Sequence, residues 1–333
     1  MARPRPEAVR DRACGKGALS GVRRRVDRRV ALLAALVAGG AAAVAAAPPS
    51  PAVRPTDRSP DVTAANHRAW GSVSIVDGLP SDAVNAICQG TDGSVWFATD
   101  RGLAVQDGRG TRLVGLGSAE PRRVSAVAAL ADGRILVATD AGLYIVDGES
   151  AAPYAEGSTT PVCAVAVDPG GSGTVAVASE DRRLLVDTAF GGTFSVVDLA
   201  WQAPPASARA GETAPDLAAV VVRGMEIFVA SRSSGLLRLV GGNVVQSVRG
   251  LPASVSALAV DPSDGSLWIG VASGLRQGGV YRLDGSERLT TISADVGAVT
   301  GLAAGGAGNC WVATAASGAF LVSAGGIERH ETF

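Results

Sequence analysis

Gly78-Leu79-Pro80-Ser81-Asp82-Ala83-Val84-Asn85-Ala86-Ile87-Cys88, then Asp92-Gly93-Ser94-Val95-Trp96-Phe97-Ala98-Thr99, then Gly102-Leu103-Ala104-Val105-Gln106-Asp107-Gly108 decides the fold. It reads as an apolar strand, an Asp-Gly turn, an aromatic-bearing strand, a glycine-marked turn, a third strand and a second Asp-Gly turn. Asp-Gly between apolar runs is a strong hairpin signal, because a tight primed turn needs positive φ.

The same order recurs five more times. Val124-Ser125-Ala126-Val127 leads to Asp132-Gly133, Leu136-Val137-Ala138-Thr139 and Gly142-Leu143-Tyr144. Further copies centre on Val175–Ser179, Phe228–Ser231, Trp268–Val271 and Trp311–Thr314. Taking Thr99, Thr139, Ser179, Ser231, Val271 and Thr314 as equivalent, the intervals are 40, 40, 52, 40 and 43 residues. The long interval holds a Pro/Ala-rich insertion from Trp201 to Pro215, which reads as a loop. A fixed period of this length is the mark of a repeat architecture. Each first strand runs apolar, variable, small, apolar, with Ala86, Ala126, Ala164, Ala219, Ala257 and Gly301 at the small position. Small residues suit innermost strands that converge on an axis. Trp96, Phe228, Trp268 and Trp311 fill the wider space one strand out. The expected fold is all-β: a six-bladed β-propeller of four-stranded antiparallel blades, ahead of a seven-bladed or incomplete ring. Ala69–Val76 and Ile327–Thr332 both read as an outermost strand, leaving open which end completes the ring.

The first fifty residues are of another kind. Residues 1–29 hold nine Arg and one Lys against three acids, and an apolar run follows from Val30 to Ala47. A basic segment, an apolar segment and Ala45-Ala46-Ala47 make a secretory signal. Eighteen apolar residues also suffice for an uncleaved anchor. The expected organisation is a signal peptide or signal anchor at 1–47, a Pro/Ala-rich linker at 48–68 and the propeller at 69–333. Location follows: periplasmic or secreted, or held on the inner membrane by residues 30–47 and facing outward. Removing ten basic and three acidic residues from totals of 30 and 31 leaves 20 and 28, a moderately acidic body. That charge argues against nucleic acid, whose binding rests on phosphate neutralisation. Membrane contact is expected only through the N-terminal segment.

The quoted stretch resembles the two-component-regulator propeller repeat, which runs roughly Gly-Leu-Pro, Asp-Gly-x-aliphatic-Trp-Ile/Phe-Gly/Ala-Thr, Gly-Leu, Asp-Gly. Gly250-Leu251-Pro252 and Ser266-Leu267-Trp268-Ile269-Gly270 match it again. The resemblance implies the periplasmic or extracellular sensor part of bacterial hybrid histidine kinases, reading carbohydrate or other nutrient signals. Such sensors commonly carry two larger propellers, whereas six copies stand here.

No catalytic constellation is read. The two histidines, His67 and His330, lie at the edges of the array. Streptogramin lyases, propeller enzymes, depend on a catalytic histidine, and no repeat loop carries one. Cys88, Cys163 and Cys310 lie in strand-like runs without Cys-x-x-Cys spacing and read as small buried hydrophobes. Asp261-Pro262-Ser263-Asp264-Gly265 lacks the terminal glutamate of a calcium loop and reads as a hairpin turn. No metal, cofactor or enzymatic activity is expected.

Binding is the better expectation. In a propeller, loops entering each first strand and loops between second and third strands share one face. The first set brings Asp82, Arg122 and Arg123. The second brings Asp100, Arg101, Asp140, Arg182, Arg183, Arg232 and Arg276. These ten are the candidate ligand-binding residues, because guanidinium binds carboxylate, phosphate or a sugar hydroxyl pair with fixed geometry. The expected function is a ligand-sensing or ligand-binding module related to signalling propellers, its partner a small molecule such as a carbohydrate. The alternative is a protein–protein interaction scaffold of the cell envelope.

Overall fold

The computed structural model describes residues 73–117, 122–155, 160–197, 199, 216–241 and 243–331. The expected signal, linker and insertion therefore lie outside the described residues.

Among the described residues, twenty-four strands form six separate four-stranded antiparallel sheets, each a simple meander. Blade 1 holds β1 (Val84–Gln89), β2 (Val95–Thr99), β3 (Gly102–Asp107) and β4 (Gly110–Val114). Blade 2 holds β5 (Val124–Ala129), β6 (Ile135–Thr139), β7 (Gly142–Asp147) and β8 (Ser150–Pro153). Blade 3 holds β9 (Val162–Val167), β10 (Val175–Ser179), β11 (Leu184–Asp187) and β12 (Ser195–Val197). Blade 4 holds β13 (Leu217–Arg223), β14 (Glu226–Ser231), β15 (Gly235–Val240) and β16 (Asn243–Ser247). Blade 5 holds β17 (Val255–Val260), β18 (Leu267–Val271), β19 (Val280–Leu283) and β20 (Leu289–Ser293). Blade 6 holds β21 (Val299–Gly306), β22 (Asn309–Thr314), β23 (Ala319–Ser323) and β24 (Gly326–Glu331). The expected six-bladed β-propeller is what forms. Among the described residues, no helix is long and apolar enough to cross a membrane.

The turns explain the repeat's fixed residues. Gly93, Gly133 and Gly265 take φ of 83°, 93° and 70°, the left-handed region that a side chain would oppose. In blade 1 the Trp96 indole donates to Ser94 Oγ at 2.9 Å, and that hydroxyl donates to Asp92 Oδ1 at 2.5 Å. Asp-Gly-Ser-x-Trp is thus a hydrogen-bonded hairpin that satisfies the buried ring nitrogen. Asp261 does similar work in blade 5: its carboxylate accepts from Ser263 N at 2.9 Å and from the Trp268 indole at 3.4 Å. That segment is a turn, as read.

Core packing lies between blades. Trp96, Leu103 and Val105 of blade 1 pack with Val124, Ile135 and Val137 of blade 2. Similar two-blade clusters fill the next four junctions. Burying one such side chain contributes roughly 1.5–3 kcal/mol, so these junctions carry most of the stability.

Of the two expected end strands the C-terminal one forms, while residues 69–72 of the other lie outside the described residues. β24 is the outer strand of blade 6. On the other side Ile75–Asp77 is a 3-10 turn, not the expected strand. The reason is local. Asp77 Oδ2 accepts from Ser74 N at 2.8 Å and from its hydroxyl at 2.9 Å, and Asp82 Oδ1 accepts from Ile75 N at 2.9 Å. Carboxylates that take up these donors close a turn in place of an extended ladder.

Candidate functional site

Two sets of loops meet on one rim of the ring, and a main-chain bond records the meeting in each blade. Asp100 N donates to Ala83 O at 3.1 Å, Asp140 N to Arg123 O at 3.2 Å and Glu180 N to Pro161 O at 2.9 Å. Arg232 N donates to Asp216 O at 2.9 Å, Ala272 N to Ser254 O at 3.1 Å and Ala315 N to Ala298 O at 2.9 Å. The loop entering each first strand is therefore fastened to the turn between the second and third strands.

A buried hydroxyl shapes that turn in most blades. Thr99 Oγ1 donates to Gly102 O at 2.7 Å and accepts from Arg101 N at 3.2 Å. Thr139 repeats the pattern with Gly142 O and Ala141 N, and Thr314 with Gly318 O and Ser317 N. Ser179 and Ser231 accept from turn amides in the same way. Blade 5 has Val271 there, and its turn is longer, closed by Val271 N to Gly279 O at 3.0 Å.

The second residue of every innermost strand is a β-bulge: Asn85, Ser125, Cys163, Ala218, Ser256 and Thr300. A bulge leaves one residue unpaired in the ladder, and in every blade but the fourth, where it is Ala218, its side chain bonds a main-chain carbonyl. Ser256 Oγ reaches Gly270 O in its own blade at 3.2 Å and Val299 O in the next at 2.7 Å. Ser125 Oγ bonds Ala138 O and, in blade 3, Val162 O. Thr300 Oγ1 and Cys163 Sγ each reach a strand-two carbonyl at 3.2 Å. Asn85 Nδ2 goes furthest, to Val124 O of blade 2 at 2.8 Å and to Asp100 Oδ1 on the rim at 3.0 Å.

From Asp100 a charged chain crosses three blades. Arg123 Nε lies 3.5 Å from Asp100 Oδ1, and Arg123 Nη1 lies 3.2 Å from Glu180 Oε1. Further on, Arg183 pairs with Asp181 at 3.3 Å and Arg232 with Asp216 at 3.6 Å. Burial raises the Cys163 thiol first of all, and the nearby charges of Glu180, Arg232 and Asp216 act on it too, so this chain of charges reaches the bulge. The paired groups are about half exposed, and each pair contributes less than about 1 kcal/mol. They orient one another more than they stabilise the fold.

The ten residues read from sequence fare unequally. Asp100 and Arg123 come together with Asn85 and Glu180. Arg183 and Arg232 are held by acids of their own blades. Arg101, Asp140 and Arg276 stand exposed on the rim, and no described residue pairs with their side chains. Arg182 occupies a left-handed turn position with φ of 67°, and Arg122 is half-buried beside Arg123. Asp82 Oδ1 accepts from Ile75 N of the Ser74–Asp77 turn at 2.9 Å. The bulge residues were not among the ten. Their signal was present as the variable position that carries Asn, Ser, Cys, Ala, Ser and Thr. Among the described residues no group of His, Cys, Asp and Glu could hold a metal ion.

Residues 78–101 match the two component regulator propeller family, so the first copy carries that repeat as the sequence resemblance implied. No curated protein sequence matches the chain. Among solved structures, the extracellular domain of a protein described as a one component system of B. thetaiotaomicron superposes with a TM-score of 0.58 at 16% identity. That match covers 75% of this chain and 33% of the other. The extracellular domain of a protein described as a hybrid two component system of the same organism gives 0.58 at 18%, covering 79% and 37%. Virginiamycin B lyase from Staphylococcus aureus gives 0.59 at 12%, covering 75% and 84%. The chain thus spans about a third of the length of the extracellular domains it matches. At these identities the likeness is one of fold.

Proposed function

We propose that this chain is an extracytoplasmic sensor propeller that binds a small polar ligand on the rim formed by the first-strand and second-to-third-strand loops. The observation that carries the reading is the rim itself. Arg101 and Asp140 stand there without a described partner on the blades that carry the bonded chain Asn85–Asp100–Arg123–Glu180, and Arg276 stands likewise on blade 5. Free guanidinium and carboxylate groups bind a ligand through charge-assisted hydrogen bonds, while the bonded chain supplies a preorganised floor. The basic-then-apolar leader and the family repeat at 78–101 support placement outside the cytoplasm. The reading is one of binding and not of turnover. The rim offers carboxylates and guanidiniums, and its one described imidazole, that of His330, is bonded to the Ser317 carbonyl of the blade 6 turn at 2.6 Å.

A thermal-shift panel of the full chain against sugars, carboxylic acids and phosphorylated small molecules tests it. A ligand present at ten times its dissociation constant stabilises by about 1.4 kcal/mol. The shift is expected to disappear in Arg101→Ala or Arg276→Ala, which remove exposed groups and leave the fold intact. A ligand whose shift survives both substitutions binds elsewhere, and the assignment to this rim is then wrong.

A further inference from the structure

The turn between the second and third strands is short in five blades. It holds two residues in blades 1 and 2, three in blade 4 and four in blades 3 and 6. In blade 5 it holds eight, residues 272–279. Added length in one repeat of an array goes to a loop, often on the binding face. This loop is fastened on both sides of its base. Ala272 N donates to Ser254 O at 3.1 Å, and Ser254 Oγ donates back to Ala272 O, on the loop that enters blade 5. Val296 N, on the loop that enters blade 6, donates to Gly278 O at 3.3 Å. Val271 N to Gly279 O at 3.0 Å closes the stem, and Ser273 N to Gln277 O at 2.9 Å closes the tip. Glycine is required where the chain passes between its neighbours. A Cβ on Gly278 would lie 2.2 Å from Val271 O and 2.3 Å from Gly297 O. Residues 273–277, by contrast, are all exposed. The loop is a finger on the rim, fixed at its base and bare at its tip.

The tip carries Leu275 and Arg276, neighbours in the chain. Leu275 is 53% exposed, and among the described residues no other large apolar side chain is exposed on a turn between strands two and three. An exposed leucine by itself needs no explanation. Set beside a guanidinium, on the one lengthened turn of the rim, it makes half of a two-part contact. The guanidinium binds a carboxylate or phosphate. The leucine loses its contact with water only if the ligand carries an apolar group next to that anion. A loop already fastened at its base gives up little freedom when a ligand lands on it. We infer that the finger selects the ligand of the rim, and that this ligand is an anion bearing an apolar group, such as a carboxylic acid with an aliphatic tail. The inference rests on the rim being the binding face. A neutral sugar would leave Leu275 uncovered.

Titrating the full chain with butanoate, hexanoate and hexanol, read by thermal shift, tests the inference. Hexanoate is expected to bind more tightly than butanoate, by about fourfold for each methylene that Leu275 covers. Hexanol, which has the tail without the charge, is expected to give no shift. Leu275→Ser should bring hexanoate down to the level of butanoate, and Arg276→Gln should weaken both acids alike. Equal affinity for the two acids in the parent would overturn the inference, and the rim reading would stand if Arg276→Gln still weakened both. A preference for hexanoate that survives Leu275→Ser puts the apolar contact elsewhere and also overturns it. If neither acid binds, the inference is wrong. The rim reading then survives if a sugar or phosphorylated compound gives a shift that Arg101→Ala abolishes, and falls with the inference if none does.

Discussion

The side-chain amide of Asn85 donates to the main-chain carbonyl of Val124 at 2.8 Å, joining the inner strand of blade 1 to that of blade 2. The same amide reaches Asp100 on the rim. A residue that fills a bulge therefore also sets the position of a surface carboxylate, and through Arg123 that of Glu180. Ser125 and Ser256 make the inter-blade half of this link at their own junctions. Their shorter side chains stop at the neighbouring strand.

Asn85→Ala removes both bonds and should cost about 1–2 kcal/mol. The reverse change is available in blade 4, where the bulge residue is Ala218. Ala218→Ser places a hydroxyl within reach of the carbonyls equivalent to those bonded by Ser256, and should stabilise by about 0.5 kcal/mol. Urea unfolding of the two variants checks both signs. A destabilised Ala218→Ser would mean that the blade 4 bulge lacks room for a hydroxyl.

The threonine or serine that ends strand two in five of the blades is a hydrogen-bonding residue and not a packing one. Thr139→Val keeps the shape but strands the buried Gly142 carbonyl and the Ala141 amide, at a cost of about 1–3 kcal/mol. Val271→Thr should bring no matching gain, because the longer turn of blade 5 closes through its own main chain. Chemical denaturation with the slope unchanged would confirm that only stability moved.

Glu226 gives the fold a pH dependence whose sign can be worked out. Burial alone would raise its carboxyl, but hydrogen bonds from Arg223 and Arg238 outweigh that and hold it below the usual carboxylate range. A depressed folded pKa stabilises above the unfolded value, about 4.3. That stabilisation is lost as the pH falls through the folded value. The parent should therefore lose part of its stability between about pH 5 and pH 3. Glu226→Gln should start lower at pH 7 and fall less steeply, as melting scans across that range would show. Parallel curves would remove Glu226 from the account.

The three cysteines of the propeller should differ in reactivity. Burial pushes the Cys88 thiol up to about 12, and Cys310 is also raised by burial. Neither forms much thiolate at pH 8, and both are closed off from reagent. Cys163 is half-buried at its bulge, so alkylation of the native chain should label it first, as peptide mass spectrometry would reveal. Labelling of Cys88 at an equal rate would mean that the junction between blades 1 and 2 opens readily.

The blades were legible in the residues because everything that makes one is local. Apolar alternation sets a strand, and Asp92-Gly93 or Asp132-Gly133 closes a hairpin with a glycine at positive φ. Thr99 and its equivalents cap the next turn within three or four residues. The rim was legible as a face, since a propeller sends those loops to one side, but its pairings were not. Arg123 meets Asp100 and Glu180, which lie 23 residues before it and 57 after it, and only the radial placement of blades brings them together. Asp82 also accepts from the Ser74–Asp77 turn, through Ile75 N, a bond that local sequence did not show.

Strand, turn and repeat count thus follow from interactions between near neighbours in the chain, and such interactions survive whatever the rest of the molecule does. Which end supplies the last strand, how the bulges bind the next blade, and which rim charges meet follow from packing between blades. Those outcomes depend on complementary surfaces far apart in sequence, and they exist only once all six sheets stand side by side.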